Sequence, residues 1–479
     1  MIKRYINQQY RRYCKKLINK QYMCRVLIFI VIILTLSCNK NDNNTAHSGL
    51  VKQFHKSIAI GENYYENPDI LYAFKGSDQE INVIYPESDQ LKWVQFNSDR
   101  ATFKKVLQPT GGFRNFWSKG FSRKDNGNLT IVGTYWQTEN SLGNMYVATA
   151  DEKGNLLDTK VISLKSGENI RGDKVYPARD GGYFTVSTAY GGFDIARLNE
   201  MAEVEWKKTG LYINGVANVE EIRSLAEDNK GNIFMATLIH NITGASPGTQ
   251  ECIIKMKPDG TIIWIKSLEI RNLDAHNSDY DIKYLIVDEH EELFAFEEFH
   301  SVKRMMVTKL DSNGNVLAMK NFDDNTTGLY DVQYRDQSFY LLVGGNNPVK
   351  TIQLRMDQNL NIIKKGVVLS VGDLSGLPGK FFKSSTDQST DYVIAGKDEW
   401  DNNAWQYIRL DENWKYPCYN YTGQDINFKN HTDFSVQNWD VTQFETISYS
   451  AEDFVTTNAV FELKALPTSN MTMSVFCEP

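Results

Sequence analysis

The chain has 479 residues, 41% of them hydrophobic and 12% aromatic, with 52 Lys and Arg against 59 Asp and Glu. Its mean hydropathy of −0.43 fits a well-packed body in water. Six cysteines in a chain this long exclude a disulfide-stapled scaffold, and the acidic balance argues against a nucleic-acid partner.

Residues 1–37 carry Lys3, Arg4, Arg11, Arg12, Lys15, Lys16, Lys20 and Arg25 and no acid. An apolar run from Val26 to Leu36 follows the basic stretch. It is shorter than the roughly 20 residues a bilayer span requires, so residues 1–37 read as a cleaved signal peptide. Met23-Cys24-Arg25 offers a second start for a signal of conventional length. The stretch Leu34-Thr35-Leu36-Ser37-Cys38 resembles a bacterial lipobox, with Thr35 where Leu is usual and a large Leu36. The resemblance implies that Cys38 is acylated and becomes the new N-terminus. Residues 38–50, beginning Cys38-Asn39-Lys40-Asn41-Asp42, then form a polar tether, and Lys40 and Asp42 resemble the surface-export tether of Bacteroidetes lipoproteins. Removing the leader's eight basic residues leaves 44 basic against 59 acidic, a net charge of −15. A body so acidic is expected to meet the membrane through its lipid, in the bacterial envelope and on the outer membrane.

Residues 51–420 repeat one plan about every fifty residues. Ile222 to Glu227, Asn232 to Thr237, Cys252 to Met256 and Thr261 to Lys266 predict four antiparallel strands. Asp228-Asn229-Lys230-Gly231 and Pro258-Asp259-Gly260 predict the tight turns between them. Equivalent turns recur at Asp125-Asn126-Gly127, Asp151 to Asn155, Asp180-Gly181-Gly182, Asn199 to Glu203, Asp288-Glu289-His290, Asp311 to Asn315, Asp336-Gln337, Asp357 to Asn361 and Asp411 to Lys415. The expected fold is all-β: a seven-bladed β-propeller of four-stranded blades, with a pair of β-sandwiches as the rival. The turn and outer strand resemble the Asp-x-x-x-Gly-x-x-x-Trp pattern of quinoprotein-type propeller repeats. Trp93, Trp206 and Trp264 hold the Trp position, and the other copies lack it. Residues 421–479 fall outside the repeat. They are expected to close a blade or form a small β annex, with 51–60 competing for the closing role.

The tight turns share one face, which leaves the irregular connections on the other. Aromatic residues there include Phe113, Phe116, Tyr135, Tyr190 and Phe193. Trp117, Trp136, Trp400 and Trp405, with Asp401, form the proposed ligand site, since exposed rings stack on sugars or grip peptides. Asp274, Asp279 and Asp281 with His276, and Glu297 and Glu298 before His300, are plentiful carboxylates expected in solvated loops. No nucleophile elbow, zinc pair, calcium loop or phosphate-binding loop occurs, so neither a metal nor a cofactor is expected. Beyond Cys14, Cys24 and Cys38, the cysteines are Cys252, Cys418 and Cys477, and Cys418–Cys477 is the candidate disulfide. The expected function is a lipid-anchored, non-enzymatic binding or scaffold module for a glycan or protein. A propeller glycoside hydrolase, lyase or quinoprotein-like dehydrogenase is the alternative.

Overall fold

The structure, a computed structural model, describes Phe54–Ala59, most of residues 71–468 and Thr472–Cys477. Residues 1–53, 60–70, 110–114, 137–142, 242–247, 271–279, 370–378, 384–389, 398–402, 415–427 and shorter loop segments lie outside the described residues. The leader, Cys38, Trp400, Asp401 and Cys418 are among these. The chain divides into units 1–52 and 53–479, and every described residue belongs to the second.

Strand β1 (Phe54–Ala59) is followed by antiparallel meanders. The first is β2 (Tyr72–Lys75), β3 (Ile81–Glu87), β4 (Gln90–Phe96) and β5 (Ala101–Pro109). Next come β6 (Asn115–Arg123), β7 (Leu129–Trp136), β8 (Asn144–Ala150) and β9 (Leu156–Leu164), then β10 (Lys174–Pro177), β11 (Tyr183–Ala189), β12 (Gly192–Leu198) and β13 (Val204–Ile213). The fourth is β14 (Ala217–Glu227), β15 (Ile233–Asn241), β16 (Gly248–Met256) and β17 (Ile262–Ile270). The fifth is β18 (Tyr280–Val287), β19 (Leu293–Phe299), β20 (Arg304–Leu310) and β21 (Val316–Phe322). The sixth is β22 (Thr326–Arg335), β23 (Ser338–Asn346), β24 (Val349–Asp357) and β25 (Ile362–Leu369). Last are β26 (Gly379–Lys383), β27 (Thr390–Lys397) and β28 (Asn403–Leu410), to which β1 adds the fourth strand. The N-terminal strand thus closes the ring.

The molecule is a β-propeller with antiparallel blades. First strands of successive meanders pack together, β6 on β10, β14 on β18, β18 on β22, β22 on β26 and β26 on β2, so they surround the axis. Hydrogen bonding gives six sheets instead of the seven four-stranded ones expected. The reason is local. Strand β13 continues into β14 through the pairs Tyr212↔Asn218 and Ile213↔Ala217, which fuses two meanders into one ten-stranded sheet.

Sheets also gain a fifth strand from the C-terminal residues, β29 (Phe428–Asn430), β30 (Phe434–Trp439), β31 (Phe444–Ser450), β32 (Phe454–Asn458), β33 (Phe461–Leu466) and β34 (Thr472–Cys477). These join β21, β17, β13, β9, β5 and β1 in that order, walking backwards around the ring as a belt. Their register is regular. Phe428, Phe434, Phe444, Phe454 and Phe461 each lie opposite the last residue of the outer strand they join: Phe322, Ile270, Ile213, Leu164 and Pro109.

The core lies between sheets, and each of its clusters draws on two neighbours. One combines Trp93 and Leu107 with Ile131 and Tyr146; another combines Phe234 and Ile253 with Leu285 and Met306. A central strand is therefore covered on both faces, which explains unbroken buried runs such as Leu129 to Tyr135, where even Thr130 and Thr134 are buried. The tight turns hold themselves. Asp151 Oδ1 accepts from the backbone N–H groups of Lys153 and Asn155, at 3.0 and 2.7 Å. Asp228, Asp288, Asp311 and Asp357 accept the same two bonds in their turns. These carboxylates serve the backbone.

Candidate functional site

Ring-lining strands carry a β-bulge at the same level. The register shifts between Ser118 and Gly120 in β6, Ile222 and Ser224 in β14, Ile282 and Tyr284 in β18, and Leu329 and Asp331 in β22. The extra residues are Lys119, Arg223, Lys283 and Tyr330. At the matching place before β10, Asp173 donates its N–H to Val186, the residue that also opposes Lys174. A bulge bends its strand and re-aims a side chain, which is why bulges gather beside binding sites.

Here they assemble a charged array. Arg223 Nη2 lies 3.1 Å from Asp281 Oδ1, and Arg223 Nε lies 3.5 Å from Glu251 Oε1. Lys283 Nζ lies 2.8 Å from Asp281 Oδ2. The Arg223 carbonyl accepts from Lys174 Nζ at 3.2 Å and from the Tyr176 hydroxyl at 3.3 Å. Lys174 also donates to the Ile222 carbonyl at 3.1 Å. On the next strand Gln333 donates to Asp331 at 3.2 Å, and Tyr284 donates to the Tyr330 carbonyl at 2.9 Å. Glu251 is buried, while the side chains of Arg223 and Lys283 keep 24% and 31% of their surface, enough to reach a ligand. Basic Lys174, Arg223 and Lys283 stand against acidic Asp173, Glu251, Asp281 and Asp331, so the array is close to neutral, with one acid in excess.

Behind it, in the layer between β14–β17 and β18–β21, sits Glu297, fully buried. Burial pushes its carboxyl up to about 8, only partly offset by the Thr308 hydroxyl, so it is mainly protonated at neutral pH. The Cys252 thiol, in the core cluster shared with β10–β13 on the other face of β14–β17, is also buried and is raised by burial and by the Glu251 charge. Among the described residues no three His, Cys, Asp or Glu side chains converge as a metal site.

Of the aromatic site expected from the sequence, Trp400 and Asp401 lie outside the described residues, and only the side chains of Trp136 and Trp405 are described. Trp405 is fully buried, with its ring edge-on to Tyr85 at 4.9 Å. It packs between sheets because β28 is covered on both faces, and it is not an exposed stacking ring. Tyr135 and Phe193 are buried likewise. Trp136 is half-buried at the end of β7, and the β6–β7 register sets Trp117 opposite Thr134 and Asn115 opposite Trp136. Cys477 ends β34 opposite His55. Asp281 and Glu297, expected in solvated loops, are instead ion-paired and buried respectively. Arg223, Glu251, Lys283 and Asp173 were not singled out. No local signal marks Arg223, since β14 reads Ala-Asn-Val-Glu-Glu-Ile-Arg-Ser-Leu-Ala-Glu and carries several other polar residues.

No protein-family model and no curated protein matches the chain. Among solved structures it is similar to a GH43 beta 1,3 galactosidase with galactodeoxynojirimycin, at 8% identity and TM-score 0.29, over 52% of this chain and 92% of that one. It is also similar to the polysaccharide lyase Uly1, at 7% identity and TM-score 0.38, over 74% and 92%. A third is the PQQ-bound aldose sugar dehydrogenase of Streptomyces coelicolor, at 12% identity and TM-score 0.31, over 61% and 92%. Similarities this slight carry no argument about activity.

Proposed function

We propose that this is an envelope-anchored lipoprotein, acylated at Cys38, whose propeller binds a glycan without turning it over. Counting β10–β13 and β14–β17 as separate blades gives seven, with β1 completing the seventh. The carrying observation is the bulge repeated on the axial strands, which gathers a near-neutral set of donors and acceptors: Lys174, Arg223, Asp281 and Lys283. A hydroxyl-rich, uncharged ligand suits such a set better than a strong ion does. Each of those cations is already held by an acid or a carbonyl, which favours recognition over catalysis. The test is a glycan array followed by calorimetry. Asp281→Asn and Lys283→Ala are each expected to weaken binding about tenfold, the loss of one hydrogen bond to a charged group, with melting unchanged. Wild-type binding that neither variant alters would refute the axial site.

A propeller hydrolase or lyase is the second reading. It draws on two carboxyls in different states, Glu251 held by Arg223 and Glu297 protonated by burial, a separation used in acid–base catalysis. Full turnover by Glu297→Gln on any glycan found to be cleaved would dismiss it.

A further inference from the structure

The outer strands repeat an anomaly. Their first residues, Leu156, Ile262, Val316 and Ile362, pack inward against the inter-sheet cores. Alternation then requires a polar second residue facing solvent. It is Glu205 in β13, but Leu157 in β9, Ile263 in β17, Leu317 in β21 and Ile363 in β25. These are 54%, 40%, 51% and 52% exposed, and Met201, in the turn beside β9, is 58% exposed. Five of the seven exposed large apolar side chains among the described residues thus lie along the rim of the turn-bearing face. The other two, Ile447 and Val455, are on the belt.

Lysines stand just behind that rim. Lys160 donates to the Met201 carbonyl, Lys266 to Asn315 Oδ1 at 3.4 Å and Lys320 to Asn361 Oδ1 at 3.0 Å. Each follows an exposed aliphatic by three residues: Leu157, Ile263 and Leu317. Aliphatic tips backed by ammonium groups fit an anionic lipid surface, where the alkyl parts enter the interface and the charges meet headgroups.

Strand direction says which face the anchor holds. β1 pairs antiparallel with β28, with Phe54 opposite Arg409 at the C-terminal end of β28, the end at which third strands such as β16 and β20 enter their tight turns. The chain therefore enters the propeller on the turn-bearing face. Residues 39–53 span at most about 50 Å when extended, so an acyl group on Cys38 keeps that face near the bilayer.

We propose that the turn-bearing rim, Leu157, Met201, Ile263, Leu317 and Ile363, is a membrane-contact surface. It rests the propeller on the lipid and turns the loop-bearing face outward. This rests on the lipoprotein reading for its anchor.

The experiment places single cysteines for an environment-sensitive fluorophore at Leu317→Cys and Ile363→Cys, with Gln90→Cys on the loop-bearing face as control. Cys418 and Cys477 are replaced by serine throughout, and buried Cys252 does not compete for the label. Two tethers to vesicles of phosphatidylethanolamine and phosphatidylglycerol are compared: acylated Cys38, and a histidine tag at residue 39 on nickel-chelating lipid. A blue shift at 317 and 363 but not at 90, in either format, supports the surface. Leu317→Ser with Ile363→Ser is expected to lower vesicle retention of the untethered body about tenfold. Emission at 317 and 363 that stays water-like in both formats, or a shift at 90 instead, overturns it. If mass spectrometry finds Cys38 unacylated while the nickel tether gives the shift, the lipoprotein reading fails and the surface stands.

Discussion

Gly314 occupies the left-handed position of its turn, at φ +76°, and faces the ring of Trp264 on the preceding outer strand. A Cβ there would lie 2.9 Å from Lys266 and 3.0 Å from Trp264. Gly260 meets Trp206 in the same way, and the pairing is inverted at Trp414, at φ +63°: a Cβ added to Gly366 would lie 3.0 Å from the Trp414 Cβ. Bulk on one side answers its absence on the other. Gly314→Ala is expected to cost about 1–3 kcal/mol, from positive-φ strain and the clash together, read as a lower urea midpoint. Leu360 accepts the same strain at φ +62° because it is fully buried. Its burial, worth about 2–5 kcal/mol against Ala, outweighs roughly 1–2 kcal/mol of backbone strain. Glu297 sets a pH dependence. Its folded carboxyl titrates near 8 against an ordinary 4.5, so between those values the folded state holds the proton more tightly than the unfolded one. Stability is then fully present below about pH 4.5 and falls as pH rises towards 8. Glu297→Gln is expected to flatten that fall in melts taken at pH 5 and pH 8; an unchanged slope would assign it to another group.

The belt is the element that sequence periodicity did not place. The turns were legible because Asp, Asn and Gly at fixed spacing dictate hairpins whatever surrounds them. Their Asp caps, from Asp151 to Asp357, stand where the spacing put them. Strands β30 and β32 were less so, since Phe434-Ser435-Val436-Gln437-Asn438-Trp439 and Phe454-Val455-Thr456-Thr457-Asn458 are short and half polar, covering an edge without entering a core. The usable signal was the Phe that opens each belt strand from Phe428 to Phe461. The axial array was hidden for another reason: a bulge depends on pairing with a distant strand, and Arg223 shows none of that locally. Phe461 tests the belt. It is buried, its ring 5.1 Å from Tyr146 and 6.2 Å from Tyr135, and it joins the β5 edge to the next sheet. Phe461→Ala is expected to destabilise by about 3–5 kcal/mol in urea titration. A loss below about 1 kcal/mol, the size of a surface change, would show the belt to be decorative.

At the scale of the whole molecule, the first and last described strands meet in one sheet. The order β26-β27-β28-β1-β34 puts the first strand between the last blade and the last strand of the belt. Phe54 to Ala59 are paired along one edge with Arg409 to Ala404, and His55 to Ala59 along the other with Cys477 to Thr472. Antiparallel hydrogen bonds run across the strands, so tension along β1 loads both ladders at once instead of unzipping them bond by bond. The leading strand is a mechanical coupling. A pull on the chain before Phe54 is shared by the last blade and the belt, and through the belt by the outer strands of the ring.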